Sequence, residues 1–361
     1  MSPKERGDTN GVLVLDKPQG PTSHDVVGKL RRALGMRRIG HAGTLDPMAS
    51  GVLVMLLGEA TKLGPYLTAH DKAYEARVVL GRGTDTLDAE GTVTVEAPLP
   101  GWLEDEITRF TQEGASAVLQ GITAALDRER ARTEQAPPAY SAIKVDGAKS
   151  YDRARRGEVV ELPARPVAVR AIELRGAGIL EPGKLAFLDV SLDVSKGYYV
   201  RSLARDLGAT LVVPAHLGAL RRTRSGPFAL DVANVLAAPA DTLRAAVVPL
   251  AAAVRLGLPT AVLTAEGAVR ASQGKRLGAA DFSEPPPRET EIRESTPKGP
   301  DEPSEPEESA ASAWLSPEGR LVAVGKSDHD GYVVQRGFTD VPAGRGVETE
   351  EHVESGRRFP P

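Results

Sequence analysis

The chain contains no cysteine in 361 residues. Disulfide scaffolds, thiol nucleophiles and cysteine–zinc clusters are excluded together. Long apolar runs are missing too: no stretch of 18 residues stays hydrophobic, so no membrane-spanning helix is expected. Residues 1–10 are polar and mixed in charge, which argues against a signal peptide and makes a cytoplasmic address the expectation. The six histidines form no HExxH pair and show no metal-ligand spacing. No Gly-x-Ser-x-Gly elbow is present. Gly81-Arg82-Gly83 lacks the third glycine of a dinucleotide fingerprint. Gly319 to Ser327 places five residues between its glycines where a phosphate-binding loop needs four, and its apolar alternation reads as a strand. Metal, nicotinamide and serine-hydrolase chemistry therefore lose their usual support.

What is present suits a soluble chain of two or three domains, with 41% hydrophobic and 26% charged residues. The net charge of -4 hides an asymmetry. From residue 281 onward there are 18 acids and 9 bases, whereas residues 1–280 hold 36 bases and 31 acids. Ten of the acids and seven prolines fall in residues 281–312, a composition that predicts a disordered acidic insert. The remaining, mildly basic chain permits a polyanionic partner.

Residues 11–16, GVLVLD, read as a buried strand ahead of a Lys-Pro-Gln-Gly turn. A helix follows, capped by Thr22 or Ser23, with Val26, Val27, Leu30, Ala33 and Leu34 on its inner stripe and Gly35 at its stop. A glycine-rich loop spans residues 40–51 before the apolar Val52 to Leu57. Strands are expected at 72–80, 92–96 and 185–194, the last from strict alternation, and a helix over 102–119. Another helix is expected after Gly197, a basic turn-like segment at 221–228, and two strands at 320–325 and 331–336. This irregular alternation indicates an α+β fold.

The loop Arg38-Ile-Gly-His-Ala-Gly-Thr-Leu-Asp46-Pro47 stands out. Pro47 biases Asp46 towards extended backbone, and the glycines allow close approach of another chain or ligand. Preceding arginines would hold the carboxylate ionised and attract phosphate. By itself the loop favours a structural aspartate in a turn before a buried element.

A set of segments in fixed order removes that ambiguity. GVLVLDKPQGPTSHDVV with RRIGHAGTLDPMASGVLVMLLGEATK, then DKAYEARVVLGRGTDTLDAEG, QAPPAYSAIKVDGAKSYDRARRGEVVELPARPV, VSKGYYVRSLARDLG and AHLGALRRTRSGPF resemble the motif blocks of the TruB family of tRNA pseudouridine synthases. The resemblance runs from about residue 10 to residue 230. It implies a pseudouridine-synthase fold, a mixed and mainly antiparallel sheet with flanking helices, followed by a small C-terminal β-barrel of PUA type. The implied domains are a tail at 1–10, a catalytic domain at 11–250, a PUA-like RNA-binding domain at 251–280 and 313–340 around the insert at 281–312, and a flexible tail at 341–361.

The implied reaction isomerises uridine 55 of the tRNA T-loop, with no cofactor and no metal. A base inside a folded loop must first be flipped into a pocket. The resemblance makes Asp46 the catalytic carboxylate, Tyr74 the tyrosine stacked on the flipped base, and Arg201 the arginine paired with Asp46. Tyr199 and Leu220 would line the uracil pocket, Lys17 and Pro18 would shape its wall, and His41 would enter the RNA loop. Asp88 matches a family position without an evident chemical role. Lys29, Arg31, Arg32, Arg37, Arg221, Arg222 and Arg224 are the group from which phosphate contacts are expected. The implied partner is the tRNA T-arm stem-loop, met by a monomer with no guide RNA and no membrane. An RNA chaperone using the same surface and a guide-RNA-dependent synthase of the dyskerin type are the competing readings.

Overall fold

The computed structural model describes residues 9–140, 144–145, 148–149, 162–287 and 311–339. Its body is a ten-stranded sheet whose path runs Val169–Glu181, Leu185–Val194, Lys72–Leu80, Ala215–Ser225, Ala49–Leu57, Gly11–Lys17 and Asn234–Val235. Pairing along it is antiparallel except at two places, Ala215–Ser225 beside Ala49–Leu57 and Gly11–Lys17 beside Asn234–Val235. The fold is α+β.

The uninterrupted apolar run at the first strand has a physical reason. Leu13 and Leu15 enter one hydrophobic core with the helices, whereas Val12 and Val14 enter a second core on the opposite face. A strand covered on both sides cannot afford a polar side. Leu185–Val194 alternates strictly between buried and half-buried positions, as its period of two requires.

The first helix, Ser23–Leu34, is capped by Thr22, whose side chain accepts from Asp25 N while the Asp25 carboxylate accepts from Thr22 N. Val26, Val27, Leu30 and Leu34 are buried, but Ala33 faces solvent.

Four expectations need correction. The single helix over 102–119 is two helices, Gly101–Glu113 and Gln120–Arg130, because Gly114 adopts left-handed backbone and turns the chain. The glycine-rich loop at 40–51 is strand at both ends, Ile39–Ala42 and Ala49–Leu57, leaving residues 43–48 as the true loop. The turn-like segment at 221–228 is instead the end of the central strand Ala215–Ser225, folded back at Gly226 onto Phe228–Ala229. The stretch assigned to the insert from 281 begins with a strand, Phe282–Glu284, paired to Thr260–Leu263. Residues 288–310 and the tails at 1–8 and 340–361 lie outside the described residues. Asn10, expected in the tail, accepts a hydrogen bond from Glu59 N.

The C-terminal part is a five-stranded sheet, ordered Phe282–Glu284, Thr260–Leu263, Ser312–Leu315, Leu321–Asp328 and Gly331–Gly337. Leu277 exchanges two backbone hydrogen bonds with Tyr332 on the far edge. The chain just ahead of the edge strand Phe282–Glu284 thus bridges to the opposite edge, and where a small barrel was expected the described residues form a five-stranded sheet. Phe282 and Tyr332 each pack edge-on to Trp314 and lie tilted to one another, and Trp314 Nε1 donates to Ser312 Oγ. Ala313, Leu315, Leu321, Val324 and Phe338 share a core with Val12, Val14, Val52 and Val54 of the large sheet.

Candidate active site

Asp46 sits in the loop that joins Ile39–Ala42 to Ala49–Leu57, and that loop is completely tied down. Every carbonyl from Gly43 to Met48 accepts a hydrogen bond. Arg222 Nη2 and Nη1 donate to Gly43 O and Thr44 O at 3.2 and 3.3 Å. Ser23 Oγ donates to Leu45 O at 3.0 Å and accepts from Leu45 N at 2.9 Å. Ala49 N reaches Asp46 O, Gly20 N and Lys17 Nζ reach Pro47 O, and Gln19 Nε2 reaches Met48 O. Buried peptide groups left unpaired would each cost about 1–3 kcal/mol, so full pairing selects one loop conformation.

The donors beneath the loop are themselves buried cations. Lys17 is fully enclosed and also donates to the carbonyls of Pro18 and Pro21. Arg222 donates a third time, to Val52 O at 2.7 Å. Lys72 caps the carbonyls of Thr68 and His70. Burial pushes the Lys17 and Lys72 ammoniums down, Lys72 to about 8 with the Arg222 charge adding to the effect. Gly51 is where the chains come closest: a Cβ there would lie 2.2 Å from Arg222 O, and its φ is +104°.

Arg201 meets the carboxylate from the opposite side, from the second position of the helix Val200–Thr210. Its Nε lies 2.9 Å from Asp46 Oδ2, and Nη2 donates to Oδ1 at 3.4 Å. Nη1 donates to Thr86 O at 3.2 Å and stands 3.8 Å from Asp88 Oδ2. Asp88 therefore has a place: a buried second carboxylate beside the guanidinium, bound in turn by Thr86 Oγ1 and Glu90 N. Between them Leu87 is held at φ +63°, which turns the Thr86 carbonyl and the Asp88 side chain towards one point. The Arg201 side chain is 10% exposed and that of Asp46 34%, so the carboxylate opens to solvent while its partner does not. Among the described residues no cluster could hold a metal ion.

The sheet brings the other pocket residues alongside. Leu220 lies between Ala49 and Ala76, and Arg222 lies between Gly51 and Tyr74, two rows apart in the same register with Arg221 between them. Tyr74 and Leu220 are buried, and Tyr199, immediately before the Arg201 helix, is half-buried with its phenol pushed up by burial. Burial, with the nearby Arg222 and His24, pushes the His41 imidazole down from its ordinary value, and its Nδ1 has no partner among the described residues. Pro18 caps the Lys17 ammonium through its carbonyl. Asp46 and Arg201 are thus in contact, Tyr199 adjoins them at the start of the Arg201 helix, Tyr74 and Leu220 lie on two paired strands of the large sheet, and the fully enclosed Lys17 lines no open wall.

The phosphate candidates divide. Lys29, Arg32 and Arg37 are exposed and make no ion pair among the described residues. Arg31 donates to Ile39 O, Arg221 forms a two-point pair with Asp16, and Arg224 pairs with Asp193. Arg222 does not belong in the group: it is 1% exposed and bound to three carbonyls, so no phosphate can reach it. Ser23, Gln19 and Gln135 were missed. Ser23 showed only a capping signal, and the other two showed none.

Comparison with known proteins agrees with this geometry. A model described as TruB family pseudouridylate synthase (N terminal domain) matches residues 31–200, and one described as tRNA pseudouridylate synthase B C-terminal domain matches residues 201–255. A tRNA pseudouridine synthase B from Thermobifida fusca (strain YX) is 45% identical over 280 residues, covering 76% of this chain and 89% of that relative. One from Cutibacterium acnes is 45% identical over 268 residues, covering 74% and 85%. Among solved structures, a chain of a Cbf5–Nop10–Gar1 complex superposes with a TM-score of 0.62 at 25% identity, covering 90% of this chain and 80% of that one. A chain of an archaeal box H/ACA Nop10–Cbf5 complex gives 0.61 at 23% identity, covering 94% and 89%, which bears on the fold alone.

Proposed function

The chain belongs to the TruB family of pseudouridylate synthases, and we propose that it isomerises uridine 55 in the T-arm of tRNA. It is an enzyme of tRNA pseudouridine synthesis. The N1–C1′ bond of the target breaks, the uracil turns, a C5–C1′ bond forms, and the C5 proton is exchanged for one on N1. Atoms and electrons balance within the nucleotide, so neither a redox cofactor nor a metal is needed.

One observation supports the assignment of roles above the others: a half-exposed carboxylate, Asp46, aligned by the buried guanidinium of Arg201. Asp46 acts at the sugar–base junction as nucleophile or base. Arg201 meets it at two points and holds it in one rotamer. Tyr74 stacks on the flipped uracil, with Leu220 and Tyr199 closing the pocket, and the His41 ring enters the gap left in the loop. The buried cations Lys17, Lys72 and Arg222 add a positive field beneath the reacting anion. Lys29, Arg32 and Arg37 receive the phosphates, and the C-terminal sheet steadies the rest of the tRNA.

The enzyme works as a cytoplasmic monomer without a guide RNA. The relative named for tRNA is 45% identical over its 280 aligned residues, against 25% for the guide-complex chain. The test is tritium release from 5-³H-uridine in a T-arm stem-loop, with wild type and Asp46→Asn compared at equal bound fraction. Release by wild type alone is expected. Release by both would place the chemistry on another carboxylate, and binding without release by either would favour a chaperone or a missing guide.

A further inference from the structure

Gln135 takes no part in the chemistry assigned to Asp46, Tyr74 and Arg201, yet its side chain is almost fully buried and both ends of its amide are used. Tyr199 N donates to Gln135 Oε1 at 2.8 Å, and Gln135 Nε2 donates to Tyr199 O at 3.2 Å. The carboxamide thus binds both sides of one residue's main chain, as a neighbouring strand would. The position matters because Tyr199 caps the Arg201 helix, and no side chain caps that helix in the ordinary way. Tyr199 O also accepts the first helical bond, from Leu203 N.

The grip continues one residue further. Ala136 O accepts from Ser202 Oγ at 2.9 Å and from Arg205 Nη2 at 3.0 Å. Residues 135 and 136 therefore hold the helix at 199, 202 and 205. Gln135 is anchored in turn by strand pairing to Arg165. Arg201 lies inside this hold, and its guanidinium has to satisfy Asp46, Thr86 O and Asp88 at once. A fraying first turn would move that long side chain off a target that tolerates little error.

We propose that Gln135 is a positioning residue for the active site: its buried amide fixes the start of the Arg201 helix, and so the alignment of Arg201 on Asp46 and of Tyr199 on the base. This rests on the isomerase reading. Gln135→Leu keeps the bulk and removes both hydrogen bonds. Gln135→Glu keeps the acceptor for Tyr199 N but sets an oxygen against Tyr199 O, and it carries the test if the leucine variant does not fold.

Single-turnover tritium release is expected to fall about 10- to 100-fold in Gln135→Leu, with T-arm Kd within about threefold of wild type. In an Arg201→Ala background the same change should cost less than about threefold, because its effect passes through Arg201. A folded variant that turns over within threefold of wild type overturns the proposal, as does a loss that multiplies fully with that of Arg201→Ala. Amide exchange is read in parallel and needs no activity: the Tyr199 amide and the first turn of the helix should exchange at least about tenfold faster in Gln135→Leu. Unchanged protection there also overturns it. Wild type that binds the T-arm without releasing tritium would defeat the isomerase reading instead, and the exchange data would still decide whether Gln135 holds the helix.

Discussion

Under the Asp46 loop the buried charges are cations, Lys17, Lys72 and Arg222, and what they bind is peptide oxygen. At the junction with the C-terminal sheet the buried charge is an anion, Glu59, bound by two side-chain cations and one peptide N–H. Arg38 Nη1 and Lys62 Nζ reach it at 2.5 and 2.6 Å, and Thr339 N donates to it at 3.0 Å. Lys62 also donates to Gly337 O. The first arrangement sets one chain segment to fixed geometry and leaves its cations nowhere else to go. The second is a latch whose outer members face water, with the Arg38 side chain 50% exposed. Catalysis needs the former and docking of a second sheet needs only the latter.

The comparison is broken most severely at Arg222. Arg222→Met would strand the carbonyls of Gly43, Thr44 and Val52, so a loss of about 4 kcal/mol in urea unfolding is expected, with turnover abolished in the remaining folded fraction. Its neighbour provides the control. Arg221→Ala removes a half-exposed pair with Asp16 and should cost no more than about 1 kcal/mol. Equal losses at the two positions would mean that the buried arginine is not what holds the loop.

The latch gives a smaller, pH-dependent effect. Its partners hold the Glu59 carboxyl down at about 2, against an ordinary 4.5. A depressed carboxylate contributes stability that is complete above pH 4.5 and is lost as pH falls towards 2. Glu59→Gln should therefore cost about 2 kcal/mol at pH 7, and the gap from wild type should close between pH 4.5 and 2. A gap that stays constant with pH would show that packing, not charge, joins the sheets.

These residues also mark how far the sequence could be read. Leu185–Val194 was legible because its alternation is written in apolar residues. Arg222 was not, since in a strand of arginines an inward-facing guanidinium looks like its outward neighbours until its backbone partners are known. Asp46 and Arg201 were found through family motifs, and 155 residues of chain separate the pair that the fold joins. Asp88 was located but acquired a role only when Leu87 turned it towards Arg201. Gln135 lies 64 residues from the backbone it holds, and a lone glutamine has no periodicity or spacing that would announce such a bond. Pattern reports burial; long-range polar pairing has to be seen.

The smallest effect tests whether the Arg201 helix is aligned from one end only. Its far end passes through Leu211 into Val212, which is 78% exposed and held at φ +59°. A β-branched residue in left-handed backbone is strained by about 1 kcal/mol, and glycine is the usual occupant of such a helix stop. Glycine would relieve that strain but widen the unfolded ensemble, so Val212→Gly should stabilise by only about 0.5 kcal/mol, a rise in Tm of about 1–2 °C. Turnover should not change, because Gln135, Ser202 and Arg205 set the helix from its beginning. If Val212→Gly slowed single-turnover release while raising Tm, the strained stop would be part of the alignment, and the helix would be held from both ends.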